Sequence, residues 1–334
     1  MPMILPSQWR NWAGYYWGPA MGLVLGAESC RYGGPDAGGE VFCEPAVCWR
    51  HRTDHTIYLN GTSIGTITTQ TLICKGSDHE LARPLEGPSL PDEYTLRCFL
   101  GYFRGRLAGH RRGKFPGKLI VTGRWDLRKA LEPMLAAAGR AVGFRSCRAV
   151  DESEALASEI GASAPGLTLA VDVGHLATRL YAWRGGSCLG VAGMTDVGGR
   201  QALRAILGAM EKRGLLVGDG TTRWLFGLAD AAEGAPGEVG GRDLASGLPR
   251  CVEVRRAEIV AALEPVHAGI ADTCRAAIAR FKGAADEPVR LVLAGGGAGR
   301  ALEEFLKKGL TATVERLAEP GAASARGLGR ILAM

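Results

Sequence analysis

The sequence contains no run of the roughly 20 consecutive apolar residues that a membrane-spanning helix needs. Its first residues lack a basic stretch followed by an apolar core, so no cleaved secretory signal is expected. There is no Cys-x-x-Cys pair, and the nine cysteines (positions 30, 43, 48, 74, 98, 147, 188, 251 and 274) are odd in number. That excludes a disulfide framework and a zinc knuckle, and it leaves the reduced thiols of a cytoplasmic protein. Neither sign of charge dominates: 40 Lys and Arg against 34 Asp and Glu give +6 over 334 residues. This is too little to select nucleic acid as a partner, and no nucleic-acid recognition motif occurs. Aromatic residues are sparse at 7%, yet three of the seven tryptophans (Trp9, Trp12 and Trp17) fall within the first 20 residues.

What is present is the composition of a folded chain, 46% hydrophobic and 22% charged, long enough for two domains. Short apolar runs ending in glycine recur: Met21–Gly26, Lys118–Gly123, Leu167–Gly174 and Leu291–Gly297. Runs of this length, rich in Leu and Val, read as strands buried on both faces. The terminal glycines allow tight turns and let a phosphate or a ring approach the main chain. Helical patterns alternate with these strands over Asp126–Ala141, Glu152–Ile160, Arg200–Arg213 and Ala257–Lys282. The third stops at Gly214 as a C-cap glycine requires, and the last is expected to bend near Pro265. This is an α/β chain with mixed or parallel sheets. The pattern is interrupted near Ala162–Gly166, with a strand-glycine unit opening each side, which suggests two similar halves around a cleft. Arg52–Gly87, rich in Thr, Gly and polar residues, reads as a small inserted β lobe.

These motifs, taken in order, resemble the MreB family of bacterial actins. Gly22-Leu23-Val24-Leu25-Gly26-Ala27-Glu28-Ser29 followed by Cys43-Glu44-Pro45-Ala46-Val47 is similar to the family's first phosphate hairpin and its "NEPSVVA" strand. Ala82-Arg83-Pro84-Leu85-Glu86-Gly87 and the helix around Tyr94–Leu107 resemble the segment that follows. Glu154–Gly161 resembles the connecting helix with the catalytic carboxylate, and Val171–Thr178 the second phosphate hairpin. Asp196-Val197-Gly198-Gly199-Arg200 and Gly214–Gly218 resemble the "RIGGD…LLIG" passage. Val239–Arg250, containing GRDLASGLPR, is the most specific match. Leu293–Ala298 and Glu319–Gly327 resemble the adenosine turn and the C-terminal segment.

The resemblance implies an actin-like fold of two similar halves around a nucleotide cleft. Its subdomains would be 21–51 with 88–163 and 320–334, then 52–87, then 164–200 with 256–319, and 201–255, after an aromatic tail at 1–20. It implies ATP or ADP with Mg²⁺, held by Gly26, Ala27, Glu28 and Ser29 in the first hairpin. Gly174, His175, Leu176 and Ala177 would serve in the second hairpin, with Gly198, Gly199, Gly295, Gly296 and Gly297 beside them. Asp172 would hold the hydrated metal; its other reading is a strand-end residue bonding the local backbone. Glu154 would orient the attacking water, or it is an exposed carboxylate on an ordinary helix. The triple glycine would admit an adenine ring, or it is a structural turn.

Departures from the family pattern fall on metal, phosphate and base contacts together. Val24 stands where the family has a magnesium-side aspartate, and Ala27 where it has threonine. His175 and Leu176 replace glycines of "GGGTT", and Leu225-Phe226-Gly227-Leu228 lacks the lysine and glutamate of "IKxE". Arg179 and His175 are candidate replacement phosphate donors. Each lost charged contact costs about 1–3 kcal/mol, so the expectation is a weak or absent ATPase. The expected role is a filament-forming cytoplasmic scaffold in cell shape or envelope organisation, a head-to-tail homopolymer of single or paired protofilaments. The competing classes are a phosphotransferase on the same fold and a non-polymerising adaptor. Trp9, Trp12 and Trp17, with Phe115 in the basic loop His110–Pro116, suit an anionic membrane at the inner face of the cell membrane. The alternative is that the tail packs on protein.

Overall fold

The computed structural model describes residues 20–34, 40–53, 57–58, 79–82, 92–110, 115–123, 128–231 and 236–333. Trp9, Trp12, Trp17 and the basic residues of the 111–114 segment lie outside them. The chain divides into two compact units, Met1–Glu159 with Ser324–Met334, and Ile160–Ala323.

The first unit opens with β1 (Ala20–Leu25), β2 (Ser29–Gly33) and β3 (Val41–Pro45). Next come β4 (Cys48–His51), β5 (Ile57–Tyr58) and β6 (His79–Ala82), then α1 (Glu93–His110), β7 (Lys118–Thr122), α2 (Arg128–Ala141), β8 (Ser146–Ala149) and α3 (Glu152–Ile160). One five-stranded sheet has the order β3-β2-β1-β7-β8, antiparallel through the first three strands and parallel through the last three. A separate sheet, β5-β4-β6, supplies the inserted β lobe and takes its central strand from Cys48–His51. Side chains alternate across β1 as a pleated strand requires. Met21 and Leu23 enter a core with Leu96, Phe99, Leu100 and Phe103 of α1. Val24 points the other way, into a cluster with Val150, Ala155, Ala325 and Leu328.

The second unit runs β9 (Leu167–Val173), β10 (Thr178–Arg184), β11 (Ser187–Thr195), α4 (Gly199–Lys212), β12 (Leu215–Leu216), α5 (Asp219–Asp230), β13 (Gly237–Asp243) and β14 (Pro249–Val254). It continues with α6 (Arg256–Phe281), β15 (Val289–Ala294), α7 (Arg300–Gly309) and β16 (Thr313–Arg316). Its main sheet, β11-β10-β9-β15-β16, repeats the pattern of the first: antiparallel through three strands, parallel through the last three. The expectation of two similar halves is met strand by strand. Every residue of β9 is buried, as a central strand covered on both faces must be. Helix α6 continues from Arg256 to Phe281 with Pro265 inside it, so the proline does not divide it. Gly214, at φ +73, ends α4 as its position in the sequence requires.

The chain then returns to the first unit as α8 (Ala323–Ala333), and α8 crosses α3 at close range. A Cβ on Gly327 would lie 1.8 Å from the Ala155 carbonyl oxygen. The Ser158 hydroxyl donates to the Gly327 carbonyl at 3.0 Å. Glu159 receives Arg326 Nε at 3.0 Å and Arg330 Nη2 at 2.9 Å. The Arg330 guanidinium also donates to the Ser158 carbonyl at 2.7 Å.

Two substitutions in α8 are therefore expected to act in opposite directions. Gly327→Ala sets a methyl against the Ala155 carbonyl and lowers stability by about 1–3 kcal/mol. Gly329→Ala meets nothing within 4 Å and raises it by about 0.5–1 kcal/mol. Urea midpoints check both, and equal effects would refute the close crossing. A second expectation concerns His267 of α6, which is 5% exposed with its ring 5.7 Å from that of Phe305 in α7. Desolvation pushes its pKa down from 6.5 to about 4. The unfolded chain takes up this proton below pH 6.5 while the folded chain resists until about pH 4. Stability is thus lost as pH falls through that window, by on the order of 3 kcal/mol in total. His267→Leu should flatten the pH dependence of the urea midpoint there, and an unchanged profile would sink this account.

Candidate functional site

In the second unit, the residues singled out by sequence gather where β9 and β15 end side by side, with Asp172 in register with Ala294. The carboxyl ends of parallel strands are where α/β sheets place ligands. The hairpin after β9 is closed by the Gly174 N–H donating to the Ala177 carbonyl at 2.9 Å. Its residues His175 and Leu176 are half-buried, and Ala177 is buried. Gly198 fits directly against this hairpin: a Cβ there would lie 2.6 Å from the Gly174 carbonyl oxygen. The first N–H groups of α4 then turn back on it, Gly199 to the Gly174 carbonyl at 2.9 Å and Arg200 to the His175 carbonyl at 2.7 Å. A helix start offers four unpaired N–H groups, and here the hairpin itself takes two of them.

The triple glycine adjoins the same point. Gly295, at φ +87, lies so near β9 that a Cβ on it would stand 2.5 Å from Asp172 Oδ1. Gly297 donates its N–H to the Val173 carbonyl at 2.8 Å, and Gly295 donates to the Pro320 carbonyl at 2.9 Å. Gly296 is exposed between them. Asp172 is buried, 7% exposed, and Arg179 is its cross-strand partner on β10. On α5, Leu225 is fully buried, and Phe226 and Leu228 pack on the same lobe core. These two side chains serve packing.

In the first unit the equivalent hairpin spans Gly26–Ser29. A Cβ on Gly26 would lie 2.4 Å from the Ser29 carbonyl oxygen, and the Glu28 carbonyl accepts the Ala46 N–H at 2.8 Å. Val24 occupies the position that Asp172 holds in the second unit, two residues before the hairpin glycine. Arg31 on β2 is its cross-strand partner, as Arg179 is for Asp172. Glu154 sits on the exposed side of α3, 3.6 Å from an Arg148 nitrogen, and an exposed pair of this kind contributes little to stability.

Two arrangements were not anticipated from sequence. Glu44, in the Cys43-Glu44-Pro45 motif, accepts Tyr32 Oη at 3.0 Å and Arg106 Nε at 2.9 Å, and also the Tyr102 hydroxyl. Desolvation, then the adjoining carboxylate, push both tyrosine pKa values upward. This network ties β2 and β3 to α1 beside the first hairpin. Phe115 is 55% exposed, and the Arg104 guanidinium lies 5.0 Å from its ring and 5.3 Å from that of Phe144. Arg104 also donates to the carbonyls of Pro116 at 2.9 Å and Val142 at 2.8 Å.

Among the described residues no group of three or more His, Cys, Asp and Glu side chains is placed to hold a metal ion. No helix among them is long and apolar enough to cross a membrane.

A family model described as MreB/Mbl protein matches residues 36–334. Among solved structures, MreB5 of Spiroplasma citri bound to ADP and the same protein bound to AMPPNP each match with a TM-score of 0.72. Both share 16% sequence identity with this chain, over 94% of it and 96% of theirs. No curated protein matches the chain.

The surroundings of Val24 generate a stability prediction. Val24→Asp should cost about 1–3 kcal/mol even with Arg31 opposite, because the carboxylate enters an apolar cluster. In an Arg31→Ala background the cost should rise to about 3–5 kcal/mol, since the buried charge then has no cross-strand partner. A double-mutant cycle on thermal unfolding measures the difference. Additive costs would mean that Arg31 does not reach across to position 24.

Proposed function

The chain belongs to the MreB/Mbl family of actin-like cytoskeletal proteins, and from that premise we propose that it assembles head to tail into filaments while hydrolysing ATP weakly or not at all. The observation that carries this reading is an asymmetry between the two halves. Their sheets have the same strand order and direction, yet the position before the first hairpin is a buried valine where the second has Asp172. The scaffold is duplicated intact while the chemistry-bearing position differs.

A head-to-tail contact joins two different surfaces of the same subunit and propagates without closing, which is how one chain makes a filament. Nothing in that assembly requires hydrolysis. In this reading the chain has four subdomains, and the small one of the first half is the β5-β4-β6 lobe, which begins at Cys48 and not at the expected residue 52. The phosphate-facing groups are the hairpins at Gly26–Ser29 and Gly174–Ala177, with Gly198 and Gly199 behind the second. Gly295–Gly297 would stand at the base side, and Phe226 and Leu228, where the family has charged contacts, pack on the core of their own lobe. The solved MreB5 structures with ADP and AMPPNP support nucleotide as the ligand class. Glu154 would orient water, but its exposed ion pair with Arg148 leaves it weakly fixed, and positioning is what such hydrolysis depends on.

The filament works in the cytoplasm at the inner face of an anionic membrane, in cell shape or envelope organisation. Trp9, Trp12, Trp17 and Phe115 would supply the apolar contact, and Phe115 is more than half exposed. Tryptophan favours the bilayer interface, and each nearby basic residue adds about 1 kcal/mol of attraction to anionic lipid.

Electron microscopy of the purified protein beside anionic liposomes, with and without Mg-ATP, tests the reading. The expected result is filaments in both conditions, lying on the liposomes, with phosphate release near background. Polymer that forms only with ATP, accompanied by brisk turnover, would overturn the nucleotide part. Absence of polymer in every condition would replace the scaffold with a non-polymerising adaptor.

A further inference from the structure

We infer that Arg104 is the positioning residue of the proposed membrane contact, a guanidinium clamp that fixes Phe115 in the pose it presents to a phospholipid surface. The inference rests on the reading of Phe115 as an apolar membrane contact. It adds how the ring is held and why the holding matters. Every group in it belongs to the first unit.

Phe115 stands just ahead of β7. Its side chain is exposed, whereas the next two residues, Pro116 and Gly117, are buried. The proline limits the backbone of the residue before it to extended conformations. The Gly117 carbonyl accepts the Arg145 N–H at 2.8 Å, which fastens the segment to the turn between α2 and β8. The Pro116 carbonyl accepts Arg104 Nε at 2.9 Å, which fastens it to α1. An exposed ring therefore projects from a backbone tied at two successive carbonyls.

The same guanidinium reaches the ring itself. Its central carbon lies 5.0 Å from the centroid of Phe115 and 5.3 Å from that of the buried Phe144, both within the range at which a cation is drawn to an aromatic face. Nη1 donates to the Val142 carbonyl at 2.8 Å. Gly143, at φ +90, leaves room for this: a Cβ on it would lie 3.0 Å from Arg104 Nη1. Two carbonyls and two rings thus hold one planar group. Lysine has the charge but a single nitrogen, so it cannot serve both carbonyls from one fixed plane. A side chain ordered before binding does not pay that ordering on binding, and affinity rises accordingly. A phospholipid bilayer fits as the partner. The apolar ring gains by leaving water, and the guanidinium within 5.0 Å of it carries the charge opposite to anionic headgroups.

The test is partitioning of the full chain onto vesicles of mixed phosphatidylglycerol and phosphatidylcholine, measured for a double-mutant cycle of Arg104→Lys and Phe115→Ala. Arg104→Lys keeps the charge and should weaken partitioning by about three- to tenfold, with a thermal melt as the control for folding. In the Phe115→Ala background the same substitution should change nothing further. Gly143→Ala, which crowds the guanidinium from the other side, should act like Arg104→Lys and takes its place if that variant does not fold. Fluorine NMR of 4-fluorophenylalanine at position 115, recorded without vesicles, supplies a readout that stability alone does not move. The parent should give a shifted resonance, and Arg104→Lys one at the position of the free amino acid. A loss on Arg104→Lys that persists without the ring, or no loss where Phe115→Ala binds poorly, would overturn this inference and leave the membrane role of Phe115 standing. Phe115→Ala that partitions like the parent would overturn that role and the inference with it. A shifted resonance in a parent chain that stays off the vesicles would assign the ring to a protein partner and overturn the lipid assignment.

Discussion

Helix α8 lies against α3 with backbone touching backbone, at a distance that only a residue without a side chain permits. Much of the first unit is organised around that contact. The same two helices cover the outer face of β1 through Val24, Ala155, Ala325 and Leu328, so their spacing sets how deeply the end of β1 is buried. Glu159 fixes the crossing from one side by receiving two guanidiniums, and Ser158 fixes it from the other. Such a contact tolerates little drift, because packed interiors are as dense as organic crystals. The position of the first hairpin follows from it.

The two halves show how one architecture can be kept while its chemistry is altered. Sheet order, strand direction and the placement of glycine at the hairpins are backbone properties, and they recur in both units. The side chain two residues before each hairpin glycine is free of that constraint. In the second unit it is a carboxylate pressed on Gly295, and in the first it is a valine joined to a hydrophobic cluster. Once Val24 contributes to burial between β1, α3 and α8, a carboxylate at that position would be a charge in an apolar interior. Packing then holds the substitution in place independently of any ligand.

Much of the fold was legible in the sequence, for reasons that are local. Glycine after a short apolar run marked the ends of β1, β7, β9 and β15, and helical periodicity located α3 to the residue and α4 to within one. The recurrence of a strand and glycine on both sides of Ala162–Gly166 foreshadowed the duplicated sheets. The single long helix over Ala257–Lys282 was legible too, as α6. Two features were not legible, because they depend on residues distant in the chain or on packing. Glu44 meets Tyr102 and Arg106 from 58 and 62 positions away, which no spacing rule reveals. The inserted lobe draws its central strand from Cys48–His51, before the polar stretch that marked it. The candidate phosphate residues lie as neighbours within each unit, but the extent to which hairpin carbonyls, Gly198 and α4 satisfy one another was not legible.

The path of the chain also orders the events of its synthesis. Residues Ile160–Ala323 form one uninterrupted stretch with a complete sheet and core of its own. The first unit is begun earlier and completed later, because the helix that covers Val24 and Ala155 comes from residues translated after all of the second unit. During elongation the ribosome therefore carries an early domain with one apolar face of its sheet still uncovered, for as long as about half of the polypeptide takes to emerge. Domains assembled from a continuous segment fold as they appear. This early one must wait, and in that interval its exposed valines and alanines are what a nascent-chain chaperone would encounter.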